Sequence, residues 1–129
     1  MVLNGTRVAA ILTVGDLEQL RPVLASCTDA ARAGATVTLF FRDETIPLIC
    51  RPEAAAELAA EPCIVAGREL AALLRELVRA GDVRCTACSS SLYLWGVSAG
   101  DLIAEVAGAR GLVAFLAEDL ADATQILSS

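Results

Sequence analysis

The sequence contains no histidine and no lysine. The first absence removes the usual general base, every Ser-His and Cys-His dyad, and every metal site that needs an imidazole. The second removes Schiff-base chemistry and the lysine of a phosphate-binding loop. Also missing is any unbroken apolar run near the ~20 residues that a membrane helix needs; the segment "VAAILTV" is among the longest. No membrane span is expected. There is no basic block either: the 10 Arg are scattered and the formal net charge is −6, which argues against nucleic acid as a partner. The chemistry left to this chain is that of thiols, carboxylates, hydroxyls and arginine.

What is present begins with size and apolar content. A chain of 129 residues suits one domain, 1–129, that buries a sizeable core without disulfide or metal staples. Its 56% hydrophobic residues exceed the usual share, so part of the apolar surface is expected to meet another subunit in a homo-oligomer. The N-terminal apolar run ends in Gly15-Asp16 without a small-residue cleavage pattern and reads as a strand, not a signal peptide. Five cysteines then indicate a reducing, cytoplasmic setting in which thiols pack, bind metal or react.

Periodicity predicts alternating elements. Arg7 to Val14 is a first strand, and Asp16 caps a helix with Gln19 at the reciprocal capping-box position. Leu17, Leu20, Leu24, Cys27 and Ala31 share its apolar face, and Pro22 is expected in the first turn or at a kink. Ala35 to Phe41 is the second strand. Pro47, Pro52 and Pro62 break the next stretch, with a short helix over 53–60 and an amphipathic helix beginning after Gly67. Val83 to Cys88 is the third strand. Ser98 and Asp101 predict a capped helix carrying Leu102, Ile103 and Val106, "LVAFLAEDLA" is helical by spacing, and "ATQILS" is a last strand. The pattern predicts an α/β fold: a three-layer α/β/α sandwich on a mainly parallel sheet of about five strands.

In such sheets ligands bind beyond the carboxyl ends of strands. The stretch "DVRCTACSSSLYLWGV" lies at one of them, and its two cysteines admit several readings. A zinc site lacks the second compact ligand pair that structural zinc modules show, so no metal is expected. A Cys85–Cys88 redox pair faces a geometric obstacle: residues three apart on a strand point to opposite faces and lie roughly 10 Å apart along it. A disulfide requires Cα atoms within about 7 Å. Cys27 reads as core, and Cys50 and Cys63 as packing under the broken segment. Cys88 stands where the strand gives way to three serines, so its sulfur is expected to meet helix-start N–H groups that favour a thiolate. With no histidine, activation falls to those N–H groups, to Ser89, Ser90 and Ser91, to an arginine such as Arg84, or to a neighbouring subunit. Arg42 and Arg51 offer positive charge to an anionic donor, although a solvated loop face accounts for them equally.

These residues also carry a family likeness. With "GDLEQL", "AARAGATVTLFF", "GDVRCTACSSSLYLWGV", "GDLIAEVAGARGLVAFL" and "ADATQIL" in this order and spacing, the chain resembles the DsrE/DsrF-like family of small sulfur-relay proteins over nearly its whole length. Within that family it is most similar to the peroxiredoxin-like, sulfur-carrier branch. The resemblance implies a parallel α/β/α fold, assembly into trimers or hexamers, and a strand-end cysteine that carries sulfur as a persulfide. By position that cysteine is Cys88, and Cys85 falls where the family usually has an apolar strand residue. Partners of rhodanese or TusA type are implied in the same way, and no cofactor is. The segment "RDETIPLICRPE", Cys50 and Cys63 depart from the carrier pattern. Besides a sulfur carrier or sulfurtransferase, two readings stay open here: a non-catalytic oligomeric interaction or small-ligand-binding module, and a Cys85/Cys88 thiol-disulfide protein.

Overall fold

The computed structural model describes residues 2–58 and 61–129, the side chains of 61–63 excepted. Five strands form one sheet in the order β4-β3-β2-β1-β5: β1 (Arg7–Leu12), β2 (Thr36–Phe41), β3 (Val83–Cys88), β4 (Ala109–Arg110) and β5 (Gln125–Ser128). All four strand pairings are parallel. With helices on both faces this is the three-layer α/β sandwich that the alternating pattern predicts.

Helix α1 (Leu17–Arg32) begins at Asp16, whose carboxylate accepts the Glu18 N–H, while Gln19 returns no side-chain bond among the described residues. Pro22 lies inside this helix, beyond its first turn. It removes one rung of the backbone ladder. The buried stripe of Leu17, Leu20, Leu24, Cys27 and Ala31 spans the proline and keeps the helix on the sheet. A 3₁₀ stretch (Asp43–Ile49) and α2 (Pro52–Leu58) follow β2.

Helix α3 (Glu61–Ala80) starts six residues before Gly67, not after it. Gly67 instead serves close packing. A Cβ there would come within 3.2 Å of the Leu48 carbonyl oxygen, so glycine lets the helix approach the 3₁₀ stretch. Leu70, Leu74 and Leu77 on α3 join α1 and the inner residues of β1, β2 and β3 in the main core. Each such side chain contributes about 1.5–3 kcal/mol on burial.

The region after α4 (Ser89–Trp95) departs most from expectation. Ser98 and Asp101 do form their reciprocal box, yet it closes only a 3₁₀ turn, Ala99–Asp101. The chain then turns extended, because its backbone is recruited elsewhere. The Arg51 N–H donates to the Asp101 carbonyl at 2.8 Å, and the Ile103 N–H donates to that of Ile49 at 2.9 Å. Leu102 pairs with Cys50 in an antiparallel bridge and is buried with Val106, without a helix. The two-residue strand β4, too short to leave a periodic signal, follows.

Topology decides which face each helix covers. The steps from β1 to β2 to β3 to β4 all run one way across the sheet, and α1, α3 and α4 lie on one face. The step from β4 to β5 runs back across every strand. A right-handed crossover in the reverse direction needs the opposite face. Helix α5 (Leu112–Ala114) and the π-helical turn continuing it (Phe115–Leu120) lie there, burying Phe115 against Ala9, Phe40 and Cys88.

Candidate functional site

The chain leaving β3 enters α4 on one face, and the chain leaving β4 enters α5 on the other. Between these strand ends is the topological switch point, where open parallel sheets bind ligands. Cys88 is the last residue of β3, pairs in register with Arg110 of β4, and is the N-cap of α4. The chain therefore sets this one thiol at the strand ends between which its connectivity changes face.

Alternation along β3 sorts the other candidates. Cys85 and Ala87 point into the main core, whereas Cys88 points to the face that α5 covers. The fold thus sets Cys85 and Cys88 on opposite sides of the sheet, and both are free thiols. Arg84 shares the Cys88 face but stands four residues earlier, about 13 Å along the strand. Its charge sits near the opposite end of β3. Ser89 and Ser90 open α4 and are exposed, while Ser91 is buried. The expected contact of the Cys88 sulfur with helix-start N–H groups is not formed among the described residues: Cys88 is the N-cap of α4 without a side-chain cap hydrogen bond, its side chain being turned to the opposite face of the sheet. Cys63 lies outside the described side chains.

Burial affects the other thiols in a definite direction. It pushes Cys27 up to about 11, Cys50 up to about 11 with a smaller contribution from the Asp101 charge, and Cys85 up to about 12. A thiol held protonated is a poor nucleophile. Cys50 also donates its S–H to the Ile46 carbonyl at 3.2 Å, as a core residue does.

Around Cys88 the structure adds groups that linear reading does not connect. Arg110 reaches the π-helical turn, its Nε donating to Asp119 at 2.6 Å and its Nη2 to Glu118 at 2.8 Å. This ion-paired strut holds the helical segment over the sheet, and the Phe115 ring stacks on Phe40 at 4.3 Å between centroids. Under that cover Cys88 is 1% exposed.

On the other side, Phe41 of β2 pairs with Ala87, so Arg42 stands one step further along, level with Cys88. Arg42 is extended and, by alternation from Phe40, projects to the Cys88 face. Asp43 takes φ 54°, a strained conformation for a residue with a side chain. Helix α4 pins it there: Ser91 Oγ accepts the Asp43 N–H at 3.0 Å, and Trp95 Nε1 donates to the Asp43 carbonyl at 2.8 Å. Strain held in this way gathers at functional sites.

A family model described as the DsrE/DsrF-like family matches residues 13–125. The chain belongs to the DsrE/DsrF-like family. This DsrE/DsrF-like chain is also similar in fold to a solved protein of unknown function from Methanobacterium thermoautotrophicum. The TM-score is 0.70 at 14% identity, over 96% of this chain and 99% of the other. No curated protein matches the sequence. Membership fits a sulfur-relay role at the level of the family, and among the described residues no helix is long and apolar enough to cross a membrane.

Proposed function

We propose that this DsrE/DsrF-like chain is a sulfur carrier or sulfurtransferase that holds sulfane sulfur as a persulfide on Cys88. The observation that carries the reading is the place of Cys88 at the β3–β4 switch point, as the residue that starts α4. The Cys88 thiolate attacks the outer sulfur of a donor and forms a new S–S bond. The donor's bond to that sulfur breaks, and the leaving group departs with the bonding pair. An acceptor thiolate then attacks the outer sulfur of the persulfide, and Cys88 leaves as thiolate. No oxidant or reductant is consumed. Ser89 and Ser90, exposed at the start of α4, are the hydroxyl residues next to Cys88 in the chain.

A cytoplasmic homo-oligomer, trimer or hexamer, that exchanges sulfur with rhodanese- or TusA-type carriers belongs to the same proposal. Tyr93 and Leu94 on α4 and Val113 on α5 are apolar and largely exposed on the elements flanking Cys88, which supports contact with another chain there. The burial of Cys88 favours a second reading, in which the chain is a non-catalytic subunit of such an assembly.

Transfer decides between them. Protein treated with polysulfide and desalted is expected to deliver one sulfane sulfur per chain to a small acceptor thiol, measured by cyanolysis, and Cys88→Ser to deliver none. Equal delivery by parent and variant, or none by either, contradicts the carrier reading.

A further inference from the structure

We propose that Arg42 is an anion-recognition subsite beside Cys88. Resting on the carrier reading, we further infer that the sulfane-sulfur donor taken here bears a negatively charged head. Three independent observations converge on Arg42. The β2–β3 register sets it level with Cys88, and strand alternation turns both side chains to the same face. Its Nε is shielded from solvent and has no hydrogen-bond partner among the described residues. A buried guanidinium N–H without an acceptor costs free energy unless a ligand supplies one. Finally, the turn that follows it is strained at Asp43 and fastened to the Cys88 helix through Ser91 and Trp95, so Arg42 and Cys88 are held as one unit.

The two arginines flanking Cys88 differ in what holds them. Arg110 is spent on Glu118 and Asp119, both within hydrogen-bond distance. Among the described residues Arg42 has one ion-pair partner, Asp43, with Nε to Oδ2 at 3.6 Å, beyond a hydrogen bond, and that carboxylate is about half exposed. The Arg42 side chain is 31% exposed, so an incoming oxyanion meets it from solvent without breaking a hydrogen bond to the described residues. In the transfer step, the thiolate of Cys88 bonds to the outer sulfur while the anionic head leaves with the electron pair of the broken S–S bond. Arg42 then holds the charge that develops on the leaving head.

Two alkylating agents of similar size isolate the charge. Iodoacetate is an anion and iodoacetamide is neutral, and both form the same thioether bond with loss of iodide. The ratio of their rate constants at Cys88, read from the mass of the Cys88 peptide, is expected to fall about tenfold in Arg42→Gln. Arg42→Lys, which keeps the charge, is expected to recover most of the ratio, and Arg51→Gln to leave it unchanged. A ratio unaltered in Arg42→Gln, or a native Cys88 that reacts with neither reagent, overturns the subsite. Because no sulfane sulfur is transferred, the test is separable from the carrier reading. A tenfold fall in a protein that accepts no sulfur from polysulfide upholds the anion subsite and overturns its assignment to a sulfur donor.

Discussion

Phe115→Ala is expected to cost about 3–5 kcal/mol of unfolding free energy, a large part of the ~5–15 kcal/mol available to a domain. Phe115 is fully buried, and its ring stacks on Phe40 with an interplanar angle of 8°. The smaller core to which it belongs has few other buried members, Ala9, Phe40 and Cys88, so little can collapse into the space it leaves. The substitution also removes the cover over Cys88. Denaturant unfolding at neutral pH is expected to show the loss, and iodoacetamide is expected to label Cys88 faster in the variant than in the parent. A loss under ~1 kcal/mol, typical of a surface site, together with unchanged labelling, contradicts the packing described here.

Alkaline pH is the second strong lever. Burial raises Cys27 and Cys50 from the usual 9.0 to about 11 and Cys85 to about 12. A folded-state value above the unfolded one means that, as pH rises, the unfolded chain loses these protons first. The stability contributed by the protonated thiols is therefore intact below about pH 9 and declines above it. Each thiol lowers the unfolding free energy by up to ~1.4 kcal/mol per pH unit while it is ionised only in the unfolded state. The fall is steepest between pH 9 and 11, after which Cys85 alone extends it towards 12. Denaturant midpoints measured across this range are expected to drop steeply, and less steeply in Cys85→Val, which keeps an apolar side chain in place. A flat profile contradicts the buried state of these thiols.

How far the sequence reveals this molecule depends on whether a feature is local. The first three strands, the stripe of α1 and the strand-end position of Cys88 follow from periodicity within short windows. So do the opposite faces of Cys85 and Cys88, which need only the two-residue repeat of a strand. The Ser98 box is equally legible, but the helix it announces is overridden by backbone bonds from Ile49 and Arg51, some fifty residues away. Strand β4 depends on backbone bonds of the same kind, to β3.

The site shows this division most clearly. Arg84 is close to Cys88 in sequence, and β3 carries it to the far end. Arg42 and Arg110 are remote in sequence, and strand register brings both alongside. A signal for Arg42 is present in its position directly after the apolar run "TLFF", since parallel strands ending together put the residues after each run side by side. Turning that signal into a neighbour of Cys88 requires knowing that β2 and β3 pair.

The most direct test of the central claim is the intact mass of the reduced, purified protein before and after polysulfide, followed by reduction, beside Cys88→Ser. A gain of one sulfur atom in the parent, reversed by reductant and absent from the variant, is the predicted result. An unchanged mass in the parent, or the same gain in Cys88→Ser, would contradict the assignment of the persulfide to Cys88.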